Sequence, residues 1–308
     1  LYSFDGTTTF EAKTGETFEV SVATNIDNAN NNSISFSTGT INLLDGANID
    51  IDSNGGAITV GSIMGNSSET VILDAINSGG NASSTSETVN ITGDIGNANE
   101  ILTVTVEARD GLTLTGGGSG ITIDTADAAN PNIALNVTNG GDVIISGTVT
   151  VTSNNTTNDG TLNIGGPIEG AGGTDNLTLQ SGTGTLTLSG VIGQDTSLDG
   201  LDINTETGTA NISISGIGDN TGGSENAGAG ITNIGNASTG NMTFSGTFYR
   251  TDGAITVTTG AGAGAIDFTG ANPTVTTSQD AVEFVGGDIL LADGANLTIC
   301  LLYTSDAA

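Results

Sequence analysis

The feature that most constrains this sequence is a strict alternation of apolar and small polar residues over short segments. Ile58-Thr59-Val60 and Leu112-Thr113-Leu114 are examples. A period of two places apolar side chains on one face of a strand and polar ones on the other. The chain contains no sustained period of 3.6 residues, so we predict an all-β fold with almost no helix. The alternation recurs at Ile121/Ile123, Leu177/Leu179, Leu186/Leu188, Ile212/Ile214, Met242/Phe244, Ile255/Val257, Ile266/Phe268 and Leu297/Ile299.

A second pattern is a unit made of an apolar residue, then Ser, Thr or Gly, and then Gly. From Ile145 onward its apolar residues are 19, 24, 26, 30 and 24 residues apart. A loose period of about 20–30 residues with variable turns is typical of a solenoid. The units are Ile91-Thr92-Gly93, Ile145-Ser146-Gly147, Ile164-Gly165-Gly166, Leu188-Ser189-Gly190, Ile214-Ser215-Gly216, Phe244-Ser245-Gly246 and Phe268-Thr269-Gly270.

Asp-Gly pairs precede several of the alternating segments. This pair tolerates the positive φ angles of tight turns, and it is also a strong hairpin signal. We predict a hairpin for residues 104–114 around Asp110-Gly111 and turns between coils for the other pairs. Those pairs are Asp45-Gly46, Asp159-Gly160, Asp199-Gly200, Asp252-Gly253 and Asp293-Gly294.

Together these patterns predict a right-handed parallel β-helix of about 12 coils, with ~24 residues per coil and ~4.8 Å between coils. Residues 1–299 form this single repeat region, and residues 140–299 are its most regular part. Outward Thr and Asn side chains are expected to form ladders along the stack. The alternative fold is a tandem of β-sandwich modules, which needs a period of about 90–100 residues. The sequence lacks that period.

The last nine residues, Cys300 to Ala308, differ from everything before them, since they contain no Gly, no Asn and no alternation. Residue for residue they resemble the translation of a sequencing-library adaptor. We therefore predict that residues 300–308 are a non-native tail and that the chain is a fragment of a longer reading frame. Without Cys300 the chain has no cysteine, which excludes a disulfide framework and a thiol nucleophile.

Charge excludes several classes of function. The chain has 34 acidic residues, 3 basic residues and no histidine, for a net charge of -31. The absence of histidine excludes Ser-His-Asp catalysis and His-ligated zinc. Three basic residues cannot follow a phosphate backbone, so nucleic acid is excluded as a partner. No apolar run reaches the roughly 18 residues that a membrane span requires.

A β-helix that cleaves acidic polysaccharides would need a cluster of carboxylates and a basic residue at its active site. The basic candidates are Arg109 and Arg250, because Lys13 lies outside the main repeat. Arg250 lies in the aromatic-basic-acidic cluster 248–252, and we expect it to pair with a neighbouring aspartate. Asp50 and Asp52 share a strand face, but solvated carboxylates lack the raised pKa of a glycosidase acid. We therefore predict no enzyme activity and no catalytic, cofactor-binding or metal-binding residues.

Calcium is the one ligand that the acidic composition favours, because it takes six to eight oxygen ligands from carboxylates and carbonyls. Asp124/Asp127 and Asp199/Asp202 offer some of these oxygens. The glycine-rich nonapeptide of calcium β-rolls is absent, and Gly172-Gly173-Thr174-Asp175 is only a distant likeness. We expect weak nonspecific calcium binding without a defined site.

The most regular repeat is Asn176-Leu177-Thr178-Leu179-Gln180-Ser181-Gly182-Thr183-Gly184-Thr185-Leu186-Thr187-Leu188-Ser189-Gly190-Val191-Ile192-Gly193, followed by Leu198-Asp199-Gly200-Leu201-Asp202-Ile203. This sequence resembles the repeats of filamentous-haemagglutinin-like adhesins and autotransporter passengers. The resemblance is clearest over residues 140–299. It implies a non-catalytic, monomeric stalk of a bacterial protein that is secreted or displayed at the cell surface, associated with the outer membrane. It also implies that glycans or host surface proteins bind to domains outside this fragment. Two alternatives stay open, a polysaccharide-binding or polysaccharide-cleaving β-helix and a trimeric phage or matrix fibre.

Overall fold

The computed structural model describes residues 1–301 except 14, 29, 78–86, 98, 156, 207, 220–227, 262–263 and 279, and every regular element in this part is a strand. The 28 strands are β1 (Tyr2–Phe4), β2 (Thr8–Glu11), β3 (Thr17–Val20), β4 (Thr24–Asn28), β5 (Ile34–Leu43), β6 (Ile49–Asp52), β7 (Ile58–Met64), β8 (Thr70–Asp74), β9 (Thr88–Ile91), β10 (Thr103–Ala108), β11 (Gly111–Asp124), β12 (Asn132–Val137), β13 (Asp142–Thr152), β14 (Thr161–Gly165), β15 (Ile168–Gly170), β16 (Asn176–Gln180), β17 (Leu186–Leu188), β18 (Leu198–Ile203), β19 (Ile212–Ile214), β20 (Ala229–Ile234), β21 (Met242–Phe244), β22 (Phe248–Thr251), β23 (Ile255–Thr258), β24 (Ile266–Phe268), β25 (Thr274–Thr277), β26 (Val282–Val285), β27 (Ile289–Leu291) and β28 (Thr298–Leu301).

The strands form two parallel sheets that the chain visits in turn. The first sheet has 12 strands in the order β1-β4-β6-β8-β10-β12-β14-β17-β19-β21-β24-β27. The second has 16 strands, and its main path is β2-β5-β7-β9-β11-β13-β16-β18-β20-β22-β25-β28. Twelve stacked strands make about 11 turns. The predicted all-β parallel solenoid is confirmed, and parallel pairing excludes the β-sandwich alternative, whose sheets are antiparallel.

The core lies between the two sheets and consists of the inward members of each alternating strand. Ile133 and Leu135 of β12, for example, are fully buried and stack on Val104 and Val106 of β10. Burying one such aliphatic side chain contributes about 1.5–3 kcal/mol. Aromatic residues enter this core near its two ends, in the groups Phe4/Phe10/Phe18/Phe36 and Phe244/Tyr249/Phe268/Phe284.

The predicted apolar-small-Gly repeat follows the first sheet from Ile164 onward. Leu188 is in register with Ile164 and with Ile214, and the same column continues through Phe244 and Phe268. Assigning Ile91 and Ile145 to this repeat is wrong, because β9 and β13 belong to the second sheet. Glycine-containing units follow strands of both sheets. The motif alone therefore does not identify the sheet to which the preceding strand belongs.

Close packing between coils explains the glycine of this repeated unit. A Cβ atom on Gly246 would lie 1.8 Å from the carbonyl oxygen of Ser215, one coil earlier. On Gly270 it would lie 2.1 Å from the oxygen of Gly246. No side chain fits at these corners, because successive backbones are in direct contact.

The predicted hairpin at residues 104–114 is wrong. β10 lies in the first sheet and β11 in the second, so Asp110-Gly111 forms a corner between them. Hairpin and solenoid corner share the same turn chemistry, and only the pairing partners distinguish them. Asp199-Gly200 also departs from the prediction, because both residues lie inside β18.

At the C-terminal end, Cys300 and Leu301 complete β28, which pairs with β25. Residues 302–308 of the predicted non-native tail lie outside the described residues. No helix in the described part of the chain is long and apolar enough to cross a membrane.

Candidate functional site

A ladder of four carboxylates runs along the outer face of the first sheet. Asp27, Asp52, Asp74 and Glu107 occupy the same register position in four consecutive coils. The coil spacing of ~4.8 Å places each side chain next to the one before. All four are half-buried, pointing away from the core. We call these four residues the acidic ladder. It is the densest line of like charge on the described outer face of this sheet.

The ladder ends where an amide replaces the next carboxylate. Asn136 follows Glu107 in register, and its Nδ2 donates a hydrogen bond to Glu107 Oε1 at 2.8 Å. The predicted placement of Asp50 and Asp52 on one strand face is confirmed, since both alternate with buried isoleucines in β6. The ladder itself was not predicted. Aligning the apolar-acidic pairs at 26–27, 51–52, 73–74 and 106–107 coil by coil would have indicated it.

Burial and mutual repulsion act together on these carboxyl groups. Burial raises the pKa of Asp50, Asp52 and Asp74, and neighbouring ladder charges raise each of them further. A group that is harder to ionise in the folded chain opposes folding when it is charged. Asp52 and Asp74, two members of the acidic ladder, therefore oppose folding when they are charged at neutral pH.

Several other carboxylates have a structural role at the corners. Glu69 is fully buried and accepts hydrogen bonds from the backbone N–H of Gly46, in the preceding coil, and from those of Asn66 and Ser68. Burial alone would raise its pKa, but these hydrogen bonds outweigh that effect and lower it. Glu69 therefore joins two coils, and its charge is already bound within the fold.

Glu169 makes the same kind of contact in the middle of the chain. It is 3% exposed, and its carboxylate accepts hydrogen bonds from the backbone N–H groups of Gln194, Asp195 and Thr196 at 3.0, 3.0 and 2.7 Å. Burial raises its pKa against the opposing effect of these hydrogen bonds. No local motif in the sequence marks Glu169, because its partners are supplied by a different coil. Glu69 combines local partners, Asn66 and Ser68, with one from the preceding coil, Gly46.

Three of the aspartates considered for calcium accept hydrogen bonds from protein groups. Asp175 is buried and accepts from the backbone N–H of Gly147 and Gly172, so the 172–175 stretch forms a turn stabilised by its own carboxylate. Asp127 accepts from Asn158 at 2.8 Å, and Asp202 accepts from Asn233 at 2.8 Å. Two further candidates differ from these three: Asp199 is exposed, whereas Asp124 is half-buried.

Asp124 carries a strong pKa shift. Burial, followed by repulsion from Glu100, raises its pKa to about 6 from an ordinary value of 3.8. Within the described residues, no group of three or more Asp, Glu or Cys side chains is arranged to hold a metal ion. Weak nonspecific calcium binding stays a prediction.

Arg109 is held at a corner by partners from other coils. Its Nη1 lies 3.4 Å from Oε1 of Glu87, a carboxylate that is 1% exposed. With the amide of Asn139 turned so that its oxygen faces the guanidinium, that oxygen accepts from Nε and Nη2 at 3.0 and 3.1 Å. A guanidinium bound on two sides in this way closes the corner and is not presented to a substrate.

The aromatic-basic-acidic cluster at 248–252 is divided between the two faces of β22. Tyr249 and Thr251 are buried in the core, and the Tyr249 hydroxyl accepts a hydrogen bond from Gly246 N at 2.7 Å. Burial raises the pKa of Tyr249. Arg250 is half-buried on the outer face. The cluster therefore does not present its tyrosine to a ligand.

The three basic residues lie far apart. Arg109 precedes β11, and Arg250 lies in β22, five strand steps further along the second sheet. At ~4.8 Å per step this is about 24 Å along the axis. Lys13 is exposed in the first coil. They do not converge on one place, as a single cationic centre would require.

Comparison of the chain with protein-family models, with curated proteins and with solved structures gives no match in any of the three.

Proposed function

We propose that this chain is the structural stalk of a secreted or cell-surface, adhesin-like bacterial protein, without catalytic activity of its own. The observation that carries the proposal is one continuous core through about 11 stacked turns. At ~4.8 Å per turn the stack extends roughly 50 Å along its axis. Each coil contacts only its neighbours, so length can be added without changing the fold. That property suits a spacer.

The charges support the same proposal. The net charge of -31 keeps the rod soluble and repels other acidic surfaces. Corner carboxylates such as Glu69 and Glu169 bind backbone amides, and Arg109 is paired within the corner. These buried or paired charged groups therefore stabilise the corners of the solenoid. This distribution favours a mechanical role over a chemical one.

Surface display tests the stalk. The chain is fused between an outer-membrane anchor and a reporter binding domain on encapsulated bacteria, and the control fusion lacks the chain. We expect the rod to increase capture of ligand-coated beads through the capsule. Equal capture by the two fusions, at equal surface amounts, would contradict the proposal.

The absence of catalysis is tested separately with the purified chain. Incubation with acidic polysaccharides should release no new reducing or unsaturated ends. Release that is lost in Arg250→Ala, while the circular dichroism spectrum is unchanged, would establish the carbohydrate-cleaving alternative instead.

Glycan binding is a second candidate, favoured by one groove near the start of the rod. The groove has a volume of about 510 Å³ and is lined by polar residues of several coils, among them Asn42, Asp45, Asn66 and Asn99. Amide and carboxylate groups on a concave surface can bind sugar hydroxyls. A glycan array tests this candidate. Binding of the parent chain to a glycan, reduced at least tenfold in both Asn42→Ala and Asn99→Ala, would support it.

A further inference from the structure

The groove that contains Asn42 and Asn99 is built from the corners of three successive coils. Its lining includes residues 42–45, then Gly65 with Asn66, and then Asn99, which belong to the coils of β5, β7 and β9. Two of these corners are joined directly, because Gly65 N donates a hydrogen bond to Asn99 O at 3.0 Å. Described coils lie both before and after the groove, so it is formed within the stack.

A buried carboxylate fixes the first two of these corners. Glu69 is fully buried, and its Oε1 accepts a hydrogen bond from Gly46 N at 2.9 Å. Its Oε2 accepts from the backbone N–H groups of Asn66 and Ser68. A Cβ atom on Gly65 would lie 2.7 Å from the same Oε2, so no side chain fits there. The groove is therefore shaped before a ligand binds, which lowers the entropic cost of binding.

The lining of the groove combines side-chain amides with one exposed apolar residue. Asn42, Asn66 and Asn99 supply the amides, each of which can both donate to and accept from hydroxyl groups. Leu44 lies among them and is 38% exposed. A sugar ring carries hydroxyl groups at its rim and C–H groups on its faces. Amides beside an aliphatic side chain therefore match both parts of such a ring.

Asp45 gives the groove a negative charge. Its Oδ1 accepts a hydrogen bond from the side-chain amide of Asn66. Within the described residues its Oδ2 has no hydrogen-bond partner, so one carboxylate oxygen is available to a ligand. Behind Gly65, the Glu69 carboxylate adds a second negative charge, because its hydrogen bonds lower its pKa and keep it ionised. None of the described lining residues is basic.

These charges determine which sugars the groove can accept. A uronic or sialic acid would place its carboxylate beside Asp45 in a chain of net charge -31, and like charges in contact oppose binding. A sugar with a protonated amine would instead place an ammonium group beside Asp45. Hydrogen bonds between ionised groups are about twice as strong as those between neutral groups. Charge complementarity therefore favours a cationic sugar over a neutral one and excludes an acidic one.

We propose that this groove binds amino sugars whose amine is free and protonated. The ammonium group donates to Asp45 Oδ2, the ring hydroxyls bond with the amides of Asn42 and Asn99, and one face of the ring packs on Leu44. This inference rests on glycan binding in the groove, the second candidate function above, and adds the chemical class of the glycan.

Isothermal titration calorimetry with three disaccharides tests the proposal. The first is a disaccharide of glucosamine, the second is the same disaccharide with both amines acetylated, and the third contains a uronic acid. The titrations are made at about pH 6, where amines of this kind are protonated. We expect the glucosamine disaccharide to bind roughly tenfold more tightly than its acetylated form, which differs from it only at the amines. The uronic-acid disaccharide should not bind.

A matched pair of variants separates the groove from the charge of the whole rod. Asp45→Asn removes the negative charge but keeps an oxygen that can accept from Asn66. It should weaken binding of the glucosamine disaccharide about tenfold and leave binding of the acetylated form unchanged. Asp199→Asn makes the same change at an exposed aspartate six strand steps further along the second sheet, and it should bind like the parent. Circular dichroism of both variants should match that of the parent.

The outcomes separate this inference from glycan binding as such. Equal affinities for the glucosamine disaccharide and its acetylated form would leave glycan binding in place and overturn the choice of amino sugars. An Asp199→Asn chain that loses as much affinity as Asp45→Asn would show attraction to the whole rod and would also overturn it. If neither disaccharide binds, the inference fails, and the glycan array decides the glycan-binding candidate separately.

Discussion

At the scale of single residues, the corners are held by carboxylates that accept backbone N–H groups. A backbone amide that is buried without an acceptor costs free energy comparable to a lost hydrogen bond. Glu169 supplies the acceptor for three part-buried backbone N–H groups at once. Glycines have the complementary role, since they allow adjacent corners to approach where no side chain fits. Both features connect one coil to the next.

Removing the Glu169 carboxylate should destabilise the chain strongly. Glu169→Ala removes the acceptor of three part-buried backbone donors, which water can satisfy only in part. We expect a loss of about 1–3 kcal/mol in the free energy of unfolding, measured by denaturant titration. Glu169→Gln retains an acceptor oxygen and should lose less. The control Glu283→Ala removes an exposed carboxylate and should stay within about 0.5 kcal/mol of the parent. Equal losses for the Ala and Gln variants at residue 169 would contradict this role.

The glycine of the repeated corner unit makes a second prediction. In Gly246→Ala the new methyl group overlaps the Ser215 carbonyl, so we expect a loss of about 1–3 kcal/mol in the free energy of unfolding, as for other overpacked sites. Gly173→Ala is the matched control, because a Cβ there meets nothing within 4 Å. A Gly246→Ala chain as stable as the control would show that the corners tolerate a side chain.

At the scale of elements, the strands were easier to predict than the register between them and the sites that this register creates. The alternation in segments such as Leu186–Leu188 depends on local side-chain order, so it is visible in the sequence. The acidic ladder depends on which residues share a column, and that follows from coil lengths, which vary. The same limit accounts for the hairpin predicted at Asp110-Gly111 and for the missed partners of Glu169. Pairing between distant segments has no local signal.

Because half-buried carboxyl groups line the outer strands, mild acid should stabilise the chain. Asp124 has a pKa of about 6, and burial also raises the pKa of Asp50, Asp52 and Asp74. A folded-state pKa above the unfolded value means that the folded chain binds more protons. The free energy of unfolding therefore rises as the pH falls from 7 through 6. We expect the Tm at pH 5 to exceed that at pH 7.5 by about 1–2 °C, the shift that about 1 kcal/mol produces in a chain of 308 residues.

Two further observations check this pH dependence. Asp124→Asn should raise the Tm at pH 7.5 and flatten the rise toward pH 5. Below about pH 4.5 the rise should lessen, because the pKa of Glu69 is lowered and its stabilisation is lost as that carboxylate becomes protonated. A Tm that falls steadily from pH 7.5 to pH 5 in the parent chain would contradict the assignment.

At the scale of the whole molecule, the solenoid behaves as a one-dimensional stack. Within the described residues, each inner coil pairs with a coil on both sides, whereas the first and last described coils pair on one side only. Opening should therefore begin at the ends. We expect hydrogen exchange to be slowest in β12, β14 and β17 and fastest in β1–β3 and β26–β28. Uniform protection along the chain would indicate a single cooperative unit instead.

The central claim is that equivalent residues of successive coils lie in straight columns, and distances between spin labels test it most directly. In a Cys300→Ser background, one label replaces Asp267 and the second replaces Asn163, Thr105 or Asp50, which lie four, six and eight coils away in the same outer column. At ~4.8 Å per coil, the account predicts separations of about 19, 29 and 38 Å. Distances that do not increase in proportion to the number of coils would contradict the solenoid.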